Sequence, residues 1–306
     1  MRIINFGSLN IDYVYRVDQF VKPGETKHSK SYMVNSGGKG LNQSIAAARA
    51  GNEVLHAGLI GRDGGFLVEK LKMAGVDVSL MTQSEEVSGH AIIQVADSGQ
   101  NSILLYGGTN QMLTEGYIER TLAEFKSGEL VLLQNETNLV GEIIGKAADK
   151  GLMVALNAAP YSMALNAYPL EKLSWLIVNE VEAAGIVGDE GTDGLLEKLA
   201  KAYPETGILL TLGVNGARVY QHGKHFSINS CQVEAVDTTA AGDTFTGYFL
   251  YGVLNGLSMA DTLRLATTAS ALCVQRPGAA DSIPVMAEVS QVLENEVFGQ
   301  LEVKQW

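Results

Sequence analysis

The sequence predicts a three-layer α/β fold with a mostly parallel central sheet and a small β lid, and two patterns carry that prediction. Short, nearly unbroken apolar runs alternate with helical patterns along most of the chain, as in a parallel sheet covered on both faces. Two further pairs of segments alternate apolar and polar residues at period two, as strands wet on one face do.

The expected core strands are residues 3–6, 54–59, 130–133, 153–157, 175–178 and 208–212. Helical patterns fill 40–50, 66–74, 139–150, 181–187 and 195–202, and the last third turns to helix over 243–255, 258–274 and 286–295. The period-two pairs are 11–17 with 28–34 and 89–95 with 102–106, the second joined by Asp97-Ser98-Gly99-Gln100-Asn101 as a hairpin turn. They predict an antiparallel accessory sheet, with lid strands drawn from about 11–34 and 89–106 of a single domain spanning 1–306. No repeat or Pro-rich linker divides the chain, which has 6 prolines.

Composition narrows the function. Hydrophobic residues at 46% and charged residues at 18% describe a globular chain with a sizeable core. A net charge of −12 disfavours a general nucleic-acid or anionic-membrane partner, because phosphate-backbone binding rests on Lys and Arg. A small phosphorylated ligand stays open, since helix N-termini and Gly-rich loops bind one through backbone N–H groups. Cys231 and Cys273 have no metal-type spacing. The N-terminus reads as a buried strand instead of a signal peptide, and no apolar run reaches the roughly 18–20 residues of a membrane span, so a cytoplasmic protein is expected.

The strongest local signal is Asp237-Thr238-Thr239-Ala240-Ala241-Gly242-Asp243-Thr244-Phe245, where small residues run into an apolar helical pattern. Ala240, Ala241 and Gly242 should form the first helical turn, with N–H groups free for an anion and Asp243 beside it as a proton acceptor. The same residues equally fit Asp237 as an N-cap and Asp243 as a solvated first-turn acid. A second Gly-rich turn, Asn35-Ser36-Gly37-Gly38-Lys39-Gly40-Leu41-Asn42-Gln43, opens a helix. Its glycines allow close backbone approach, and Lys39 and Asn42 suit sugar hydroxyls; it lacks the Walker A pattern.

Other polar groups follow strand ends. Asn10 and Asp12 alternate with Leu9 and Ile11 after the first strand, and Glu136 follows Leu132-Leu133-Gln134-Asn135. In open α/β sheets ligands bind at such ends, although surface turns are the plain alternative. Asn179 and Glu182 are spaced for a capping box or for organising phosphate and the water shell of Mg²⁺. Thr211-Leu212-Gly213-Val214-Asn215-Gly216 is a Gly-containing turn suited to a nucleotide or to no ligand.

Order and joint occurrence decide among these readings. The motifs, with Pro23-Gly24-Glu25-Thr26 and Arg276-Pro277-Gly278-Ala279-Ala280-Asp281-Ser282-Ile283-Pro284, resemble the ribokinase-like (phosphofructokinase-B type) carbohydrate kinase family over almost the whole chain. Asn10, Asp12, the Lys39 loop, Glu136 and the tail at 278–282 are most similar to its ribokinase subgroup. The resemblance implies transfer of a phosphoryl group from Mg·ATP to a primary hydroxyl, O5 of D-ribose first among candidates, with another sugar, a deoxysugar or a nucleoside as alternatives. A non-catalytic sugar-binding regulator is the remaining alternative.

The resemblance also implies roles for residues. Asn10, Asp12, Gly38, Lys39, Gly40, Asn42 and Glu136 would hold the sugar. Asn179, Thr211, Leu212, Gly213, Val214, Asn215, Gly216, Gly242 and Thr267 would face the nucleotide. Ala240, Ala241 and Gly242 would form the anion hole, Asp243 would be the base, and Glu182 would meet Mg²⁺ through water. Asp237, Thr239, Cys273, Arg276, Gly278 and Ser282 match a loop for activating K⁺, and a homodimer through the lid is expected. Two residues depart from the family pattern. Tyr248 replaces a small residue behind the anion hole, and polar His90 lies in the flap, either over the sugar or as a solvated strand residue.

Overall fold

The computed structural model describes residues 1–189, 191 and 193–306. A twisted sheet crosses the molecule, and its parallel part has the spatial order β4 (Glu53–Ala57), β1 (Arg2–Phe6), β9 (Leu130–Gln134), β10 (Met153–Asn157), β11 (Trp175–Asn179), β12 (Gly207–Thr211). Successive side chains of these strands enter different cores. Ile3, Leu130, Leu132, Ala155 and Ile177 pack on one face, whereas Ile4, Val131, Leu133, Leu156 and Leu176 pack on the other. Two covered faces are why the strands read as continuous apolar runs.

The first face is covered by α1 (Lys39–Arg49), α2 (Gly65–Met73), α7 (Ala241–Leu254), α8 (Met259–Val274) and α9 (Met286–Glu294). The second is covered by α3 (Glu115–Ala123), α4 (Val140–Asp149), α5 (Glu180–Val187) and α6 (Leu195–Ala202). This is the three-layer α/β arrangement expected from the sequence. Helix α3 was not foreseen. Thr114 caps it by accepting the Tyr117 N–H at 3.2 Å, and Tyr117, Ile118, Thr121 and Leu122 form its buried stripe.

The sheet continues beyond β12 with antiparallel β13 (Ala217–Gln221), β14 (Lys224–Ile228) and β15 (Val303–Gln305), three strands that the helix-rich reading of the last third omitted. The expected strand over 54–59 is broken at Gly58. Its carbonyl accepts the Thr82 N–H at 3.0 Å, and β5 (Leu59–Gly61) then pairs with β6 (Thr82–Ser84) as a separate ribbon.

The lid has the order β3 (Ser31–Gly37), β2 (Asn10–Val17), β7 (Gly89–Ala96), β8 (Asn101–Tyr106). It is mixed and not purely antiparallel: β2 and β7 are parallel because the two hairpin-like halves enter the lid side by side in the same direction. The ladder of β3 starts at Ser31 opposite Arg16, so His28 lies outside it. Strand β2 leaves the end of β1 after only Gly7-Ser8-Leu9, which roots the lid at the carboxyl edge of the parallel sheet.

Candidate active site

The start of α1 lies directly on the end of β1, and glycine makes that possible. A Cβ at Gly40 would stand 2.2 Å from the Ser8 nitrogen, and one at Gly38, where φ is 97°, would stand 2.8 Å from the Ser8 carbonyl oxygen. The Leu41 N–H donates to that carbonyl at 2.9 Å, and the Gly40 N–H donates to Ser8 Oγ at 3.1 Å. Gly40, expected to contact a sugar, is buried and its close neighbour is the chain's own backbone.

This packing brings Asn42 under Asp243 of α7. Asn42 Nδ2 donates to Asp243 Oδ2 at 3.0 Å, and Gln43 Nε2 donates to Oδ1 at 2.8 Å. Asp243 is only 7% exposed, so the reading of it as a solvated first-turn acid fails. Asn42 Oδ1 is buried and has no partner among the described residues. An orphaned acceptor beside a carboxylate is costly unless a ligand supplies a donor.

Three further charges converge here. The Glu136 carboxylate accepts from the Ser8 hydroxyl and, at 3.0 Å, from the Lys39 N–H. Burial works against the Lys39 ammonium, but Asp243, Glu136 and Glu182 together outweigh it and hold its pKa above the usual value. Lys39 nevertheless makes no direct ion pair among the described residues, which leaves its donors for a ligand. Asp12 likewise has no hydrogen-bond donor to its carboxylate among the described residues; burial first, and the charge of Glu136 second, push its carboxyl up to about 7. It lies against Gly37, where any Cβ would meet Asp12 Oδ2 at 2.1 Å. Asn10 is anchored by Asn110, whose Nδ2 donates to Asn10 Oδ1 at 2.8 Å while its Oδ1 takes the Leu9 N–H at 3.0 Å.

The head of α7 differs from the simple first turn expected. Ala240 precedes the helix in the left-handed region with φ 62°, and the Ala241 N–H reaches back to the Thr238 carbonyl at 3.3 Å. The N–H groups of Gly242 and Asp243 have no backbone partners among the described residues, and nothing lies within 4 Å of a Cβ built on Gly242. An open N–H group such as that of Gly242 at a helix N-terminus can meet an anion.

A model of the pfkB family of carbohydrate kinases matches residues 2–286. The chain belongs to that family. It is 38% identical over 298 residues to a ribokinase of Haemophilus influenzae, covering 94% of this chain and 97% of the relative. A ribokinase of Thermotoga maritima superposes with a TM-score of 0.86 at 31% identity, covering 96% of this chain and 99% of that one. A ribokinase of Arabidopsis thaliana, solved with ribose and ATP, superposes with a TM-score of 0.84 at 28% identity, covering 95% and 98%.

In this pfkB kinase Asn179 and Glu182 form a complete capping box. Asn179 Oδ1 accepts the Val181 and Glu182 N–H groups, and the Glu182 carboxylate accepts the Asn179 N–H at 2.7 Å and Nδ2 at 2.8 Å. Burial raises the pKa of Glu182 against those bonds and the attraction of Lys39. The turn after β12 closes through the Leu212 N–H to the Gly216 carbonyl at 2.8 Å, with Gly213 and Val214 at its tip. Gly216 is held at φ 91°, and a Cβ there would fall 2.0 Å from the Ile228 carbonyl, so its glycine serves the turn into β13. Thr211 Oγ1 donates to the Val178 carbonyl at 3.3 Å, Asn215 belongs to the same short turn, and Thr267 Oγ1 on α8 is buried without a partner among the described residues.

The pfkB kinase also gathers the loop residues that precede α7 with those that follow α8. Asp237 is no N-cap: its Oδ1 accepts the Thr239 N–H at 2.9 Å and Oγ1 at 2.6 Å, and its Oδ2 accepts the Gly278 N–H at 3.0 Å. Burial opposes its charge, but these bonds hold its pKa below the usual value. Cys273 Sγ lies 3.8 Å from the Thr239 carbonyl and 3.0 Å from Ser282 Oγ. The Arg276 guanidinium turns away to Glu288 at 2.8 Å, so only its backbone remains for this loop.

Both departures from the family pattern have a structural account. Tyr248 is fully buried and donates to the Pro284 carbonyl at 2.9 Å, tying α7 to the tail loop. His90 pairs with Ile11 across the lid, so it shares the face of Tyr13, opposite to that of Asp12. Its ring packs against Tyr13 and Tyr106 at centroid distances of 5.8 and 5.1 Å, so it is neither aimed with Asp12 nor freely solvated. Gln43, Gln134 and Asn110 were not singled out in the sequence. Gln43 directly follows Asn42 in the quoted motif, whereas Asn110 has no signal beyond a Gly107-Gly108-Thr109-Asn110 turn.

Proposed function

We propose that this kinase transfers the γ-phosphoryl group of Mg·ATP to the primary hydroxyl, O5, of D-ribose, with Asp243 as the base. The observation that carries the reading is a buried carboxylate, fixed by two side-chain amides, beside open N–H groups and unpaired polar groups of both kinds. Asp12 and Asn42 Oδ1 supply acceptors for sugar hydroxyls and Lys39 supplies donors, with Asn10 and Glu136 completing the wall. This mixture suits a small polyol better than the apolar slot a nucleoside base needs. The names of the similar ribokinases point to the same substrate.

Phosphoryl transfer depends on positioning and on stabilising charge. Asp243 accepts the hydroxyl proton as the oxygen attacks, and the open N–H of Gly242 faces the charge on the transferring group, whereas the Ala241 N–H, expected to share that role, is taken by the Thr238 carbonyl. Asn179, Thr267 and the turn at 211–216 form the nucleotide side. Each Glu182 oxygen accepts one bond from Asn179 and keeps acceptor capacity, which fits a water-mediated Mg²⁺ site. Mg²⁺ would neutralise charge on the phosphates. A coupled ADP-release assay across pentoses, ketoses, deoxysugars and nucleosides tests the reading. Ribose should give the highest kcat/KM, and equal turnover with a nucleoside would refute it.

An activating K⁺ fits the loop around Asp237. Its carboxylate carries charge with no Lys or Arg in ion-pair range among the described residues, and it is fixed by the N–H groups of Thr239 and Gly278, while the Thr239 carbonyl lies 3.8 Å from Cys273 Sγ. A cation there would stiffen the segment leading into Ala240 without touching phosphate. Initial rates in KCl should exceed those in equimolar choline chloride several-fold, and Asp237→Ala should abolish the difference. Identical rates would remove the site.

We also propose a homodimer through the lid. Its edge strands β3 and β8 expose Met33, Val34, Ile103, Leu104 and Leu105, with Leu104 69% exposed. Apolar edge strands of this kind need a cover, and a second copy supplies one by symmetry. Light scattering at micromolar concentration should give twice the chain mass; a fully active monomer would refute the assembly. The cytoplasm is the setting proposed, in keeping with free, buried Cys231 and Cys273. Among the described residues no helix is long and apolar enough to cross a membrane.

A further inference from the structure

A line of buried polar side chains leads from Asp243 into the layer between α1 and the sheet. Gln43 Nε2 donates to Asp243 Oδ1 at 2.8 Å, and Gln43 Oε1 accepts from Gln134 Nε2 at 2.8 Å. The same Gln134 amide donates to Asn5 Oδ1 at 3.0 Å. Asn5 Nδ2 donates to the Gly40 carbonyl and to Ser44 Oγ, both at 2.8 Å. Ser44 Oγ lies 2.8 Å from His56 Nδ1, and His56 Nε2 lies 3.2 Å from the Gly7 carbonyl. Asn5, Gln43, Ser44, His56 and Gln134 are all 0% exposed. Polar groups so placed are costly unless each bond is made, and apolar residues could fill the same volume.

The direction of every bond follows from two backbone carbonyls, which can only accept. The Gly7 carbonyl requires the ring proton on His56 Nε2. Burial lowers the His56 pKa to about 4, so the ring is neutral and Nδ1 accepts from the Ser44 hydroxyl. That hydroxyl in turn accepts from Asn5. Independently, the Gly40 carbonyl requires the NH₂ group of Asn5 on its side, which turns Asn5 Oδ1 towards Gln134. Gln134 must therefore present its NH₂ to both Asn5 and Gln43. Gln43 is left with its own NH₂, and not its oxygen, facing Asp243.

We propose that Gln43 is a positioning residue for Asp243, with its amide orientation imposed from behind by Gln134 and Asn5. Asn42 also meets the ligand side through Oδ1, so its grip on Asp243 can change when a sugar binds. Gln43 is cut off from solvent and holds the carboxylate in the same place throughout turnover. The inference rests on the reading of Asp243 as the base.

The test is a double-mutant cycle read as kcat and KM. Gln43→Met keeps the side-chain length and removes the donor; kcat should fall roughly ten- to a hundredfold, as for loss of a bond to a charged group, with KM for sugar and ATP within about twofold. In an Asp243→Asn background, followed with radiolabelled ATP, the same change should cost less than about twofold, because the carboxylate it positions is gone. Gln134→Met touches neither Asp243 nor any proposed ligand; it should lower kcat several-fold alone and add nothing to Gln43→Met. Rates are normalised to the folded fraction from thermal melts. If Gln43→Met does not fold, Gln43→Asn withdraws the amide from Asp243 while keeping the site polar, and the same cycle applies. Equal losses with and without the Asp243 carboxylate, or wild-type kcat in Gln134→Met, would overturn the inference. Undiminished kcat in Asp243→Asn alone would instead overturn the assignment of the base.

Discussion

Asp243→Asn should lower kcat by at least ~10²–10⁴-fold, the usual contribution of a general base, while sugar and ATP still bind. The substitution keeps the shape and one oxygen, but Asn42 Nδ2 and Gln43 Nε2 both donate to the present carboxylate, so the new amide would turn an NH₂ against one of them. The site would then lose both the proton acceptor and its alignment. Calorimetry with ribose and with a non-hydrolysable ATP analogue should give affinities close to those of the parent. A variant keeping more than about a tenth of the parent kcat would show that the proton leaves by another route.

Asp12→Ala should lower kcat/KM for the sugar roughly ten- to a hundredfold for each hydrogen bond lost to its charge, with ATP affinity little changed. A pH effect follows from the same residue. Its carboxyl is raised to about 7 by burial and by Glu136, so below that pH the free enzyme holds it largely protonated. Sugar kcat/KM should therefore rise with pH through about 7 and level off above it, and Asp12→Asn should flatten that limb. The sign for stability is opposite. A carboxyl whose pKa in the fold exceeds its ordinary value of 3.8 favours folding most below 3.8, and that contribution is lost as pH rises through about 7. Asp12→Asn should thus gain thermal stability relative to the parent at pH 8 but not at pH 4. Equal losses for sugar and ATP, or a pH-independent kcat/KM in the parent, would mean that Asp12 supports the lid without meeting substrate.

Much of the core was legible because its causes are local. Strands such as Leu130–Gln134 read as unbroken apolar runs since their alternate residues enter opposite cores. Helices such as Lys39–Arg49 announce themselves by small apolar residues after glycines. The antiparallel strands β13 to β15 were missed because they are short and half-wet, and β15 pairs with β14 from more than seventy residues away, Ile228 opposite Val303. The parallel pairing of β2 with β7 has the same character: either direction satisfies a period-two pattern, and only the route of the chain out of the sheet selects one.

The sequence alone determined the layers of this protein, its family resemblance and the residue types available for phosphoryl transfer, because periodicity, glycine placement and short motifs act within a few residues. Tertiary structure decided which of those residues meet. Asn42 and Gln43 adjoin Asp243 across about two hundred residues of chain because Gly40 lets α1 rest on the end of β1. Asn5, Gln134 and His56 look like polar interruptions in apolar strands until the sheet stacks them beside Ser44. Asp12 and His90, both polar and both in the lid, fall on opposite faces because of a register that no local pattern encodes. Side-chain type is a property of the chain, whereas burial, partner and direction arise only when distant segments pack.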